Sequence, residues 1–355
     1  MTTIISADIA RLLDRTPALW QPLRGASLFI SGGTGFFGTW LLEAVLAANR
    51  EQSLGCRVTV LSRDPARFAA KAPHLVADPA ISFIDGDVRS FRFPKGPVSH
   101  LIHAATEASA SLNASDPQAM FETCLEGTRR MLALASEKRA SRFLFTSSGA
   151  VYGRQPLDLA RVPEDFRGEP DPLDVRNAYA EGKRAAELLC ASEAATSGTA
   201  RAGLSVSIAR CFAFVGPHLP LDAHFAIGNF IRDCLAGGPI RIGGDGTPFR
   251  SYLYAADLAE WLFTLLLRGE AGRAYNVGSE DAISIRQLAD RVADAAAAVW
   301  PDRGRPEIVM VHQPPAGKPA ERYVPDCQRA RTELGLVPAT SLDESIRRTM
   351  LAAME

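Results

Sequence analysis

In the stretch Ala26–Gly38, ASLFISGGTGFFG, a short apolar run meets a turn with glycines at Gly32, Gly35 and Gly38, and a helical pattern opens at Phe36. The order is strand, turn, helix. Each glycine has its own reason: the chain must turn tightly, a backbone must approach a pyrophosphate with no Cβ between them, and the helix must pack closely on the strand. A helix beginning at Phe36 and Phe37 directs unpaired N–H groups and its positive dipole end at phosphate oxygens. Glycine-rich turns also close ordinary loops, so it is the flanking strand and helix that make this motif a candidate dinucleotide site.

The 355 residues are 47% hydrophobic and 22% charged, which suits one large α/β domain or a large domain carrying a smaller one. Net charge is −1 with no long basic run, so the footprint of a nucleic-acid-binding protein is missing. The N-terminal MTTIISADIARLLDRTPALW contains acidic residues and an interrupted apolar run, which fits neither a secretory signal nor a membrane anchor. No other stretch approaches the roughly 20 apolar residues that span a bilayer. Cys56, Cys124, Cys190, Cys211, Cys234 and Cys327 show no CxxC spacing and read as reduced core thiols of a cytoplasmic protein. The histidines show no HExxH or paired spacing, so no metal site is expected.

Outward from the glycine turn, strands and helices alternate. Residues 6–24 read as an amphipathic helix leaving at Pro22 and covering the sheet edge; it forms an N-terminal extension over 1–25. Phe36–Asn49 is helical, Arg57–Leu61 a strand, Ile81–Val88 a strand carrying Asp85 and Asp87, and Val98–His103 a strand running into Ala104 and Ala105. Asp116–Lys138 is a long helix, Arg142–Ser147 a strand ending at Ser148, and Ser205–Arg210 a sixth strand. Such alternation predicts a doubly wound parallel sheet, the Rossmann arrangement, with helices on both faces. Ligands bind beyond the carboxyl ends of such strands, where Gly32–Gly38, Ser62, Asp87 with Val88, Ala104 with Ala105, and Ser148 all fall. His103, at a buried strand end, reads as a packed core residue. The dinucleotide-binding domain covers 26–210, with later segments returning to it, and 211–355 forms mainly a smaller C-terminal substrate-binding lobe. Between them, Gly153–Val175 reads as an irregular segment over the site.

Cofactor choice rests on the end of the second strand. An acidic residue there binds the ribose 2′-OH of NAD. Here Ser62-Arg63 stands in that place, with Asp64 one position later. A small hydroxyl followed by Arg suits a 2′-phosphate, so the cofactor is NAD(P) with NADP slightly favoured. The alternative leaves Arg63 as a solvated charge and puts Asp64 on the ribose of NAD.

Tyr179 and Lys183, in NAYAEGKRAAELL, lie four apart on a helical pattern and share one face. Oxidising a secondary alcohol requires a base for its hydroxyl proton, and a free tyrosine, with pKa about 10, is a poor one near neutrality. A lysine ammonium one turn away, with a positive nicotinamide ring, favours the phenolate. Ser148 would hold the substrate oxygen, and Lys183 would also bond the cofactor ribose.

At this point the chain resembles the extended short-chain dehydrogenase/reductases that modify nucleotide sugars. The carriers are Gly32-Gly-Thr-Gly35-Phe-Phe-Gly38, Asp85-Gly-Asp87-Val88, Ile102-His-Ala-Ala105, Ser147-Ser148-Gly-Ala-Val-Tyr152-Gly and Tyr179-Ala-Glu-Gly-Lys183. Further on come Gly216-Pro217, Gly244-Asp-Gly246, Arg250-Ser-Tyr-Leu-Tyr-Ala-Ala-Asp257, Tyr275-Asn-Val-Gly278, Arg322-Tyr-Val-Pro-Asp326 and Glu333-Leu-Gly335. The resemblance implies a nucleoside-diphosphate sugar as substrate, with Arg250 on its pyrophosphate and Asn229 near the nucleotide. Arg322 is a second candidate for that anion, or a surface ion-pairing residue. It also implies a homodimer packing helices near 117–137 and 177–197, and work in cell-surface polysaccharide synthesis.

Departures from the pattern narrow the reaction. The 4,6-dehydratases of this family usually carry Asp-Glu directly after the catalytic Ser/Thr, and the decarboxylases usually keep the Glu; here Gly149-Ala150 stand there. Asn is common where Cys124 and Ala213 stand. The resulting reading is hydride transfer at sugar C4 by a 4-epimerase, with an NADPH-dependent 4-ketoreductase as the alternative. A dehydratase would need another carboxylate, such as Glu107 or Glu164, and a non-catalytic dinucleotide sensor would leave Ser148, Tyr179 and Lys183 without a task.

Overall fold

A computed structural model of the chain describes residues 3–105, 110–168, 170–197, 203–223, 225–312 and 319–355. The strands are β1 (Ser27–Ser31), β2 (Arg57–Ser62), β3 (Ile81–Asp85), β4 (His100–His103), β5 (Arg142–Ser148) and β6 (Ser205–Cys211). There follow β7 (Phe214–Val215), β8 (Ile240–Ile242), β9 (Phe249–Arg250), β10 (Leu253–Tyr254), β11 (Ala274–Val277), β12 (Ile283–Ser284), β13 (Ile308–Met310) and β14 (Arg322–Tyr323). Helices α1 (Ile4–Arg15), α2 (Phe36–Gln52), α3 (Pro65–Lys71), α4 (Pro73–Val76), α5 (Ala110–Ser115) and α6 (Pro117–Lys138) belong to the first half. Those of the second are α7 (Ala178–Ser197), α8 (Ala226–Leu235), α9 (Ala255–Arg268), α10 (Ile285–Val299), α11 (Gln328–Leu334) and α12 (Leu342–Ala352).

Seven strands form one parallel sheet in the order β11-β6-β5-β4-β1-β2-β3. The order reverses between β1 and β4, which is where a doubly wound sheet opens a crevice. Side-chain alternation divides the apolar residues between two helix layers. Leu28 and Ile30 of β1 face a core shared with α2 and α9. Phe29, between them, faces a core shared with α6 and α7. A third core joins α8, α10 and α12 through residues such as Ile231, Val292 and Ile346. All six cysteines are buried and free of disulfides. Among the described residues no helix is long and apolar enough to cross a membrane.

The N-terminal helix differs from the sequence reading in length and in place. It ends at Arg15, with Thr16 as C-cap at φ −124, because Thr16 precedes Pro17 and the pyrrolidine ring disfavours helical backbone before it. Rather than covering a sheet edge, α1 packs on α2, α9 and α12 and buries Ile9, Leu12 and Leu13 in the α2/α9 core. Strand β3 stops at Asp85 instead of Val88, since the Asp87 carbonyl accepts the Ser90 and Phe91 N–H groups in a turn.

Polar contacts pin α1 in place. Buried Asp8 receives hydrogen bonds from the Arg348 guanidinium of α12 and the Tyr254 hydroxyl, and Arg15 pairs with Asp257 at 3.2 Å. Removing one partner of a buried ion pair leaves the other charge desolvated. Asp8→Ala is expected to destabilise the fold by about 3–5 kcal/mol, read from the urea midpoint. An unchanged midpoint would show that Glu344, which accepts from Arg348 at 2.6 Å, neutralises it alone.

Candidate active site

The glycine turn lies at the crevice. Gly32 has φ +75, and a Cβ there would stand 2.6 Å from the Ala104 carbonyl carbon, so the turn rests on the Ala104–Ala105 backbone. A Cβ on Gly38 would stand 2.3 Å from the Gly33 Cα, so only glycine lets α2 start there. The N-cap of α2 is Gly35, with no side-chain cap and no acid in the first turn. The opening N–H groups at Phe36 and Phe37 are therefore not claimed by any capping side chain. This cradle fits the pyrophosphate of NAD(P): donors, a positive dipole end, and no Cβ to hold the anion off. The Phe37 ring meets Phe214 of β7 edge-on at 5.0 Å, tying the turn to the later part of the chain.

Ser62 is buried at the end of β2, 3.4 Å from the Thr34 hydroxyl of the turn. Asp64 caps α3, its carboxylate accepting the Arg67 N–H at 2.8 Å, while Arg63 and Arg67 are exposed. Asp87 is held by Arg89 through two bonds of 2.8 and 3.0 Å, and that pairing keeps its carboxyl below the usual range, with the Arg63 charge contributing. Val88 is buried against Gly127 of α6.

Three turns of α7 address the end of β5. Tyr179 lies beside Ser148, the Lys183 ammonium donates to the Thr146 carbonyl at 2.7 Å, and Glu187 accepts from the Ser147 hydroxyl at 2.6 Å. Lys183 is 2% exposed; its ammonium lies 4.8 Å from the Phe145 ring centroid and 5.8 Å from that of Tyr179. Burial pushes the Tyr179 phenol above its ordinary pKa, the nearby Ser148 hydroxyl opposing, and pushes Lys183 below its own. The chain alone therefore keeps Tyr179 as a neutral phenol, against the shift expected from Lys183, because loss of water outweighs the nearby charge.

A polar network that sequence reasoning missed lies beneath. Arg210 makes paired bonds to Glu187, the shortest 2.7 Å, and donates to the Tyr152 hydroxyl at 2.9 Å; Tyr152 donates to Asn276 at 2.8 Å. Glu164 accepts the Asn276 backbone N–H at 2.9 Å and lies 3.9 Å from Arg329. It thus anchors the irregular segment, and burial raises its carboxyl above the usual range. Glu107 lies outside the described residues. Cys124 packs where α6 meets Gly182, its Sγ 3.3 Å from the position of a Cβ there.

Two further aromatic residues reach Gly149. The Tyr323 hydroxyl stands 2.7 Å from where a Cβ on Gly149 would begin, and its ring lies 4.7 Å from that of Phe212. The signal for Tyr323 was its place after Arg322 in the tail motif. Strand pairing aligns Tyr323 with Arg250 and Arg322 with Phe249, so alternation gives Tyr323 and Arg250 one face and turns Arg322 to the other. The Arg250 guanidinium is 5.9 Å from the Tyr323 ring, and that of Arg322 sits 4.4 Å over Phe249. Arg250 thus shares the face of Tyr323, whose hydroxyl reaches the Gly149 position, and Arg322 lies on the opposite face. Asn229, on α8, faces Arg232 at 3.3 Å.

His103 is 1% exposed, its Nδ1 2.8 Å from Ser31 and its Nε2 3.1 Å from Thr128. Thr128 donates its proton to the Cys124 carbonyl, so it accepts from His103 Nε2–H and the ring is the neutral Nε2 tautomer. Burial, with the Lys183 charge, pulls its pKa down to about 3. In the unfolded chain the value is about 6.5, so between these two the unfolded state binds more protons and stability falls as pH falls. His103→Gln is expected to remove up to about one proton of slope from stability against pH in that window. Equal slopes in acid titrations of the two proteins would refute a buried neutral ring.

The NAD dependent epimerase/dehydratase family matches residues 28–278. UDP-glucuronic acid decarboxylase 6 of Arabidopsis thaliana is 29% identical over 342 residues, covering 94% of this chain and 92% of that protein. The solved dTDP-glucose 4,6-dehydratase DesIV of Streptomyces venezuelae, with NAD bound, is 25% identical with a TM-score of 0.75, covering 92% of this chain and 97% of its own. The Thermus thermophilus UDP-glucose 4-epimerase, solved with NAD, is 25% identical with a TM-score of 0.72, covering 91% and 97%. With the glycine cradle at the sheet's switch point and Ser148, Tyr179 and Lys183 assembled beside it, the chain belongs to the NAD dependent epimerase/dehydratase family and is an extended short-chain dehydrogenase/reductase.

Proposed function

We propose that the chain is a nucleotide-sugar 4-epimerase. The observation that carries the reading is at Gly149, where a side chain would begin 2.7 Å from the Tyr323 hydroxyl and 2.8 Å from Phe212. A side chain directly after Ser148 would press on the ends of the Tyr323 and Phe212 rings, and neither Gly149 nor Ala150 carries an acid, which supports chemistry confined to one carbon over elimination or decarboxylation. Tyr179 takes the C4 hydroxyl proton, and Ser148 donates to the same oxygen as charge develops on it. Bound NAD(P)+ supplies the hydride acceptor and a positive charge that favours the phenolate. Tyr179 returns its proton to the C4 oxygen when the 4-keto sugar is reduced on its other face, so the residues end each turnover unchanged. Arg250 is assigned to the substrate pyrophosphate as a bidentate donor, and Asn229 to the nucleotide.

Engagement of Asp64 in capping α3, beside exposed Arg63 and Arg67, favours a second reading: a 4-ketoreductase that consumes NADPH. The two part on cofactor. Mass spectrometry of nucleotides released by denaturation should find retained NAD(P) for the epimerase, and purified protein should interconvert C4 epimers of a UDP-, dTDP-, CDP- or GDP-sugar. Tyr179→Phe should lower that activity at least ~100-fold. Net loss of NADPH absorbance with a 4-keto sugar nucleotide, and no epimer interconversion, would replace the first reading by the second.

A homodimer through α6 and α7 is part of the proposal: Leu188 on α7 is 71% exposed, with Leu132 and Leu189 lining an adjacent 320 Å³ hollow. Leu188→Glu should shift the mass seen by light scattering towards the monomer; a wild-type protein that is already monomeric would exclude this interface.

A further inference from the structure

Ser148 lies between two points that a single ion pair holds. Ser147 of β5 and Arg210 of β6 are register partners on neighbouring parallel strands, so their side chains leave the same face of the sheet. Glu187 of α7 meets both. One carboxylate oxygen accepts the Ser147 hydroxyl at 2.6 Å and the Arg210 Nε–H at 3.0 Å, and the other accepts from Arg210 Nη2 at 2.7 Å. The Nη1 of the same guanidinium donates to the Tyr152 hydroxyl at 2.9 Å and to the Glu164 carbonyl at 3.0 Å. Tyr152 closes the turn Gly149–Tyr152 that follows Ser148. The residue before Ser148 and the residue ending its turn therefore rest on the same pair.

We propose that Glu187 and Arg210 are positioning residues, which together fix where Ser148 stands relative to Tyr179 and Lys183. This rests on the role given to Ser148 in the reading above.

The pair is built for alignment. Glu187 lies one helical turn past Lys183 and two past Tyr179, so the carboxylate that holds Ser147 shares a helix face with both. A shift of Glu187 against Ser147 is then a shift of Tyr179 against Ser148. A guanidinium fork fixes direction as well as distance, which a lysine ammonium does not. The Glu187 and Arg210 side chains are 12% and 16% exposed, so little water competes for their bonds. Lys183 on the Thr146 carbonyl and Arg184 on the Val151 carbonyl, at 2.7 and 2.9 Å, add one contact to each side of Ser148.

Two measurements on the NAD+-loaded protein test this. Ser147→Ala keeps the ion pair and removes one anchor, Glu187→Gln keeps the shape and loses an acceptor, and Arg210→Lys keeps the charge and loses the fork. Each should speed hydrogen exchange of the Ala150 and Gly153 amides, which donate to Ser148 Oγ and the Ala150 carbonyl, at least ~10-fold, with β1 amides unchanged. Each should also lower kcat at least ~10-fold at unchanged KM, in whichever of the two assays above the wild type passes. Asp8→Ala, which breaks a different buried pair, should move neither. Turn amides that do not move, a rise shared equally by β1, or faster exchange with unchanged kcat overturns the inference. A wild type that fails both assays overturns the functional reading, and the exchange data alone then decide the role of the pair.

Discussion

The approach of Gly38 to the backbone of Gly33 is the contact on which the rest of the molecule depends. It lets α2 begin directly over the end of β1, so the helix packs on the sheet while its first N–H groups stay uncapped. The same turn leans at Gly32 on Ala104, which fixes the exit of β4 and with it the crevice at the reversal of strand order. Phe37, one residue before Gly38, carries the joint onward to Phe214. Cofactor cradle, switch point and the start of the later segments therefore share one close backbone contact. Any Cβ at that contact would have to move backbone rather than a flexible side chain.

Beside this joint, α7 works as a ruler. Tyr179, Lys183 and Glu187 are spaced by four and meet Ser148, the Thr146 carbonyl and Ser147. Burying an ammonium is costly unless it is paired. Lys183 offsets that cost with a carbonyl, the face of Phe145 and the charge of Glu187. Glu187 is in turn shared with Arg210, which reaches through Tyr152 to Asn276 and so to the segment around Val162. Truncating a member of such a network leaves desolvated groups behind, so its members hold the ruler in register as well as adding stability.

What could be read in the sequence was what depends on local spacing. The glycine turn, the alternation of strands and helices, and the four-residue step from Tyr179 to Lys183 each express a period of backbone geometry, and all are present in the fold. Harder features depend on partners distant in sequence or on one neighbouring residue. Pro17 stops α1 early, and the helix then covers other helices because its apolar face finds α2 and α9. Asp64 has the chemistry of a ribose ligand, yet its place before Pro65 makes it a cap. Arg322 and Arg250 look alike as anion candidates until the pairing of β14 with β9 gives them opposite faces. Tyr323 was missed because a two-residue strand far along the chain carries it to Gly149. Beyond its place after Arg322 in the tail motif, the trace it left was Gly149, a glycine where a side chain was expected.

That glycine limits the chemistry through proton inventory. Removing water or carbon dioxide from a sugar calls for groups that exchange protons or charge at a second carbon near neutral pH. Around Ser148 the described residues offer two phenols and a lysine; burial raises both phenols and lowers the lysine. A phenol held near 12 is a donor and a poor shuttle. Each phenol has a cation close to its ring, Lys183 at 5.8 Å from Tyr179 and Arg250 at 5.9 Å from Tyr323, and neither position after Ser148 carries an acid. The epimerisation proposed above, which takes one proton from one oxygen and returns it, asks no more of the site than these groups.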